Sequence, residues 1–295
     1  MRKELPEIFS DLEVEYKNYK LQTKKMDFGD LIEVFLQALK ENSEWVANAK
    51  NEIKRIIVDE FQDTDMKQLE MLRLMNPEKL TVVGDDWQAI YGFRGASTVP
   101  FLKFSEFFSP CKIHFLGTNY RSLPEIISIS SIPISKNKMN IKKTVKPERI
   151  GKGIVRKLTL DSDSDLLILA ERISSIPDFE NEIKILCRSN FRIDTYKKAG
   201  LSENCLLTIH ASKGLEFNTV IVDLSSGWNL GTNEAKETLE EERRILYVAL
   251  SRAKNHLIIL GAKSGSKERI EDLFYSYFKK AKSLALDEIE KIIKG

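Results

Sequence analysis

Asp59 and Glu60 follow directly on the apolar run Ile56–Val58, in a stretch reading RIIVDEFQD. In an open α/β sheet, carboxylates at the carboxyl end of a strand face a binding crevice rather than a core. Such a pair suits nucleotide hydrolysis: one acid can hold a magnesium ion, usually through its water, while the other orients an attacking water. A solvated strand end is the alternative reading, and two residues alone do not separate the two. A second apolar run, LTVVGDDWQ, also ends in carboxylates, Asp85 and Asp86, just before Gln88.

The elements that must position these groups are legible from pattern. IIVDEF and LTVVGD read as buried parallel strands, joined by the helix DMKQLEMLRLM and stopped by Pro77. The opening residues through LIEVFLQAL carry a helical apolar periodicity and are expected to pack on this first sheet. IHFLGT reads as a further short strand. NYRSLPEII starts a Pro-initiated helix, followed by a lysine-rich, weakly patterned stretch from Lys136 to Lys152. GIVRKLTL, EIKILCRS, CLLTIH, NTVIVDL and HLIILGA read as strands, interrupted by the helices DSDSDLLILAERISSI and EEERRILYVALSRAK. This alternation argues a second parallel sheet. Asp161 to Asp165 resembles an acidic metal loop, yet Asp and Ser at a helix start cap and match the dipole, and capping is the reading adopted. The tail from Lys267 to Gly295 reads as amphipathic helix.

Composition sets outer bounds. The 295 residues, 42% hydrophobic, can fill two ordinary cores. No stretch approaches the roughly 20 apolar residues of a membrane span, and the charged start MRKELPEIF lacks a signal-peptide core. No membrane association and a cytoplasmic location are expected. Cys111, Cys187 and Cys205 stand far apart without metal-ligand spacing and read as buried free thiols. The formal charge of +2 excludes a global polycation, so any nucleic-acid contact must be local. The basic clusters Lys136 to Lys146 and Lys152 to Lys157 read as lysine-rich surface.

Seven blocks then extend beyond any single motif: MDFGDL (Met26 to Leu31), IIVDEFQD, VVGDDWQAIYGFRGA (Val82 to Ala96), NYRS (Asn119 to Ser122), ILCRSN (Ile185 to Asn190), LTIHASKGLEF (Leu207 to Phe217) and EERRILYVALSRAK (Glu241 to Lys254). In content and order they resemble the UvrD/Rep/PcrA family of superfamily 1 DNA helicases. The resemblance implies an α/β protein with two RecA-like, P-loop NTPase-type parallel-sheet domains, the first incomplete. It divides the chain into 1–118 (first motor domain), 119–262 (second, without a large insertion) and 263–295 (helical tail). It implies ATP and Mg²⁺ as cofactors and single-stranded or partially duplex DNA as partner.

By the same resemblance Asp59 would coordinate Mg²⁺, Glu60 would polarise the lytic water, and Gln88 would sense the γ-phosphate, an amide being able to donate to phosphate and accept from water. Arg121 and Arg252 would be arginine fingers, whose always-charged forks match phosphate oxygens. Tyr120 would stack on adenine and Glu216 would touch the ribose or support the cleft. Tyr91, Phe93 and Arg94 would meet DNA by stacking and charge, joined on the second domain by Arg188, Asn190, Thr208 and His210.

The chain departs from the family pattern in several places. No G-x-x-x-x-G-K-[ST] loop, which cradles phosphates through backbone N–H groups, occurs in it. Phe93 stands where tryptophan is usual, and Ser251 where threonine is commoner. The expectation is therefore the downstream portion of an ATP-dependent helicase moving 3′ to 5′, hydrolysing ATP when the phosphate loop is supplied by the intact parent chain or a partner polypeptide. The competing expectation is a non-hydrolysing module that binds single-stranded DNA or a repair protein.

Overall fold

The computed structural model describes residues 5–160, 162–225, 228, 236–262 and 281–294. Every strand pair among them is parallel, so the α/β class expected from the sequence holds. The chain forms two compact units, Met1–Gly84 and Asp85–Gly295.

The first unit contains α1 (Leu5–Thr23), α2 (Phe28–Glu41), α3 (Glu44–Glu52), β1 (Arg55–Val58), α4 (Met66–Met75) and β2 (Lys79–Val82). The MDFGDL block is a helix start. Asp27 caps α2 in a reciprocal box with Asp30, and Lys20 bridges both carboxylates at 3.0 and 2.6 Å. Asp65 and Gln68 form the same box at α4, which ends on left-handed Asn76 just before Pro77. A small core of Ala38, Leu39, Val46 and Met75 packs with Ile56, Met71 and Leu74, so α2 and α4 cover one side of the strands.

Two expectations need correction here. β1 and β2 form a two-stranded sheet in which no residue is buried, and Ile57 is 76% exposed. A buried apolar run needs cover on both faces, and among the described residues of this unit helices cover only one. α1 likewise leaves Phe9, Leu12, Tyr16 and Leu21 exposed rather than packing them on the sheet.

The second unit opens with α5 (Val99–Leu102), α6 (Phe104–Phe107), β3 (Thr118–Asn119), α7 (Pro124–Ser135) and β4 (Lys146–Pro147), β3 and β4 forming a minimal pair. It continues with β5 (Ile154–Leu160), α8 (Asp163–Ser174), α9 (Phe179–Glu182), β6 (Ile183–Cys187), α10 (Asn190–Lys198), β7 (Leu206–Thr208), β8 (Phe217–Asp223), α11 (Lys236–Leu250), β9 (Ala253–Ala262), β10 (Lys282–Ser283) and α12 (Ile289–Lys294). Six strands lie in the order β10-β5-β9-β8-β6-β7. Alternation along each strand builds two cores. Val220, Val222, Leu257 and Ile259 share one with Ile126, Ile129, Leu246 and Val248, while Ile221, Ile258 and Leu260 share the other with Leu169, Ile173 and Tyr196.

The division at Gly84 lies upstream of residue 118. Ile90, fully buried, belongs to the core beneath α7 and α11, and Trp87 meets Tyr247 edge-on at 5.4 Å, so the segment after Gly84 folds with the second unit. IHFLGT is a strand only at Thr118; Ile113, Phe115 and Leu116 stand exposed and pair with no strand among the described residues. Ser162 and Asp165 form the capping box of α8, while Asp161 lies outside the described residues. Much of the expected tail helix also lies outside them; its end is the short β10, a 3₁₀ turn and α12. Cys187 and Cys205 are buried thiols and Cys111 is half-buried. Burial pushes the Cys205 pKa up to about 11 and that of Cys187 further. None of the described helices is long and apolar enough to cross a membrane.

Candidate nucleotide and nucleic-acid sites

In the first unit, the backbone turns sharply after β1 because Glu60 adopts φ 50°, ψ 38°. That left-handed conformation is costly for a residue with a Cβ and marks sites where geometry is imposed. Phe61 N–H donates to Val83 O at 2.9 Å, locking the turn to the end of β2. Asp59 and Glu60 are thereby exposed side by side at the strand end: Glu60 N–H donates to Asp59 Oδ1 at 2.8 Å, and Gln62 Nε2 donates to Glu60 Oε2. No group of three or more His, Cys, Asp or Glu among the described residues is placed to hold a metal. Mg²⁺ in nucleotide sites uses one or two carboxylates plus phosphate and water, so exposed Asp59 and Glu60 fit that ion without a protein cage.

In the second unit, a pocket of about 600 Å³ is lined by Thr118, Asn119, Tyr120, Arg121, Arg149, Glu216 and Lys254. Local structure fixes the arginine. Asn119 Oδ1 accepts from the N–H groups of Arg121 and Ser122, both at 2.9 Å, and Ser122 Oγ donates to Ala253 O at 2.6 Å. Arg121 Nε then donates to Glu216 at 2.9 Å, and Lys254 Nζ binds the other Glu216 oxygen at 2.6 Å. Lys254, then Arg121, hold the Glu216 carboxyl at a pKa of about 2. Tyr120 is 71% exposed, its ring available for stacking. Arg149 braces the pocket floor, donating to Arg121 O at 2.7 Å and to Asn255 Oδ1 at 2.6 Å. Tyr120, Arg121 and Glu216 are thus brought together. Lys254 closes the SRAK block two residues after Arg252, and nothing in the sequence marks Arg149.

Arg252 is not in that pocket. Its side chain is 1% exposed and donates to Val248 O, Leu215 O and Gln88 Oε1, each at 3.1 Å, and to Ser251 Oγ at 3.2 Å. Gln88 Nε2 donates in turn to Asp85 Oδ2 at 2.8 Å. Lys143, from the stretch read as lysine-rich surface, binds Asp85 and reaches fully buried Asp86 at 3.1 Å, with its ammonium over the Trp87 ring. Gln88 therefore sits in a half-buried chain from Lys143 through Asp85 to the buried Arg252.

A third cluster surrounds the turn Gly92–Arg94. Phe93 is 66% exposed and meets His210 edge-on at 5.3 Å; Tyr91 lies 6.2 Å from Phe93 and 6.1 Å from His210. Arg94 stacks over both rings at 5.2 and 5.4 Å, and Lys213, which sequence reasoning missed, sits 4.9 Å from Tyr91. Burial, then Arg188, lowers the His210 pKa, disfavouring the charged ring. Arg188 is held by Glu242 at 2.6 and 3.1 Å and lies over Trp228. Asn190 opens α10 just beyond β6 and is exposed, while Thr208 ends β7, the strand paired with β6, and its Oγ1 accepts from Ala211 N–H at 3.2 Å. Cationic and aromatic faces of this kind can stack bases and neutralise phosphates without reading sequence.

Two family models match the chain: the UvrD/REP helicase N-terminal domain over residues 2–109 and the UvrD-like helicase C-terminal domain over residues 197–264. A Mycoplasma pneumoniae protein described as "Probable DNA helicase" is 27% identical over 94% of this chain and 55% of its own length. DNA helicase IV of Escherichia coli is 32% identical over 75% of this chain and 35% of its own. ATP-dependent DNA helicase Rep of Escherichia coli is 38% identical over 38% of this chain and 17% of its own. The chain thus spans about half or less of the length of these relatives.

Proposed function

Because the chain belongs to the UvrD/Rep-like family of superfamily 1 helicases, we propose that it is the downstream part of an ATP-dependent motor that moves 3′ to 5′ on single-stranded DNA. In this reading residues 1–118 belong to a first RecA-like motor domain, 119–262 form a second one, 263–295 form a C-terminal helical tail, and the protein acts in the cytoplasm. The observation that carries the reading is the hydrogen bond from Arg252 to Gln88, which ties the proposed γ-phosphate sensor to a proposed finger. Asp59 would hold Mg²⁺, which neutralises phosphate charge when bound, and Glu60 would orient water. Tyr120 would stack on the base, with Arg121 and Glu216 beside phosphate and ribose. Tyr91, Phe93, Arg94, Arg188, Asn190, Thr208 and His210 would line the DNA path.

The missing G-x-x-x-x-G-K-[ST] loop favours a second reading for this stretch alone, a non-hydrolysing module for single-stranded DNA or a repair protein. The bare face of the first sheet, with Ile57 and Val83 exposed, supports a complementing polypeptide that would bring that loop. The test is ATP hydrolysis by the chain with and without oligo-dT, against Glu60→Gln. DNA-stimulated turnover lost in Glu60→Gln supports the motor. Turnover equal to that of Glu60→Gln, together with salt-sensitive oligo-dT binding, supports the module.

A further inference from the structure

The Gly92–Arg94 turn is closed by Arg94 N–H to Tyr91 O and Gly95 N–H to Gly92 O, both at 2.9 Å, and it carries the most exposed ring and cation of the aromatic cluster. Its first amide is held from elsewhere. Glu241 of α11 accepts the Gly92 N–H through Oε1 at 2.9 Å. The approach is close enough that a Cβ on Gly92 would lie 2.9 Å from both carboxylate oxygens. Position 92 therefore admits only glycine while Glu241 stays in place. Glu241 itself is half-buried, and its neighbour Glu242 grips Arg188. At the start of the EERRILYVALSRAK block these two acids form a pair of anchors.

We infer that Glu241 is a positioning residue for single-stranded nucleic acid: its carboxylate, bonded to the Gly92 amide, sets the turn that presents Phe93 and Arg94. This rests on the proposed nucleic-acid reading of that surface. Charge and position make opposite demands here, which makes the role separable. A carboxylate beside a cationic platform repels phosphates, so removing its charge alone tightens binding. Removing its hydrogen bond frees the turn, and Phe93 then loses part of the stacking its fixed geometry provides.

The test is fluorescence anisotropy with labelled oligo-dT on four variants of the full chain. Glu241→Ala and Gly92→Ala are each expected to weaken binding about fivefold, the lower end of what one base–aromatic stack contributes. Glu241→Gln keeps an acceptor for Gly92 N–H and is expected to bind as tightly as the unchanged protein or tighter. The double variant Gly92→Ala/Glu241→Ala should bind no more weakly than either single one, since both break the same contact. Tighter binding by Glu241→Ala would show that only charge matters and overturn the proposal; unchanged binding would overturn it equally.

Hydrogen exchange of the Gly92 amide provides an arm independent of DNA. It should be slow in the unchanged protein and in Glu241→Gln, and fast in Glu241→Ala. Equal rates in all three would remove the positioning contact whatever the DNA result. A slow Gly92 amide in a protein that fails to bind oligo-dT would instead sink the nucleic-acid reading and leave Glu241 as a structural anchor.

Discussion

Replacing Arg252 by lysine separates a buried clamp from an exposed finger. The guanidinium reaches four acceptors from three nitrogens, among them Leu215 O from Nη1 and Gln88 Oε1 from Nη2. A lysine ammonium keeps the charge but concentrates its donors on one nitrogen, so it can satisfy about two of these acceptors at once. The acceptors left behind lie in a site where the side chain is 1% exposed. Each buried group without a partner costs about 1–3 kcal/mol, so Arg252→Lys should lose about 2–4 kcal/mol. For a unit of about 200 residues that is a fall in Tm of about 6–12 °C. Arg121, whose side chain is 27% exposed, serves as the control, and Arg121→Lys should cost less than about 1 kcal/mol. Thermal melts and urea titrations of both variants give the comparison. A melt of Arg252→Lys within about a degree of the unchanged protein would refute the reasoning. It would mean that the guanidinium spends its time outside the contacts described, free to act as a finger without cost to the fold.

Two further outcomes follow from the same geometry. Glu216, held at a pKa of about 2 against an ordinary 4.5 by Lys254 and Arg121, contributes stability that is present above the ordinary value and lost as pH falls from about 5 towards 2. Because its side chain is 43% exposed, screening limits that contribution to under about 1 kcal/mol. The stability gap between the unchanged protein and Glu216→Gln, measured by urea unfolding, should therefore shrink between pH 6 and pH 3, and a constant gap would exclude the ion pairs as its source. Asp223 is fully buried and bound by Arg192 Nε at 2.5 Å and Tyr196 OH at 2.8 Å, so Arg192→Met, which leaves the buried charge without its cation, should cost about 3–5 kcal/mol in urea unfolding. A loss below about 1 kcal/mol would show that the donors Tyr196 and Ser225 hold the carboxylate without Arg192.

Local rules carried much of this structure in the sequence. Parallel strands ending in Asp59 and Asp85, the Pro-initiated α7, the cap at Ser162 and the helix running into Ser251 follow from apolar period, caps and breakers, which act over a few residues. The order of motif blocks carried the family and the residue types of the candidate sites. Other features depended on residues distant in sequence. Burial of β1 and β2 is a property of what covers them, and their apolar pattern cannot reveal that one face stands bare. Whether an arginine is a pocket wall or a buried clamp is likewise invisible in NYRS and SRAK: Arg121 opens onto Glu216 and Lys254, while Arg252 turns inward to Gln88. The sequence named Gln88, Phe93 and the two arginines. Only the tertiary structure, by bringing Lys143 to Asp85, Glu241 to Gly92, Glu242 to Arg188 and Lys254 to Glu216 across long stretches of chain, decided how their surroundings are held, because hydrogen bonds and ion pairs form by proximity in space, which composition and spacing do not encode.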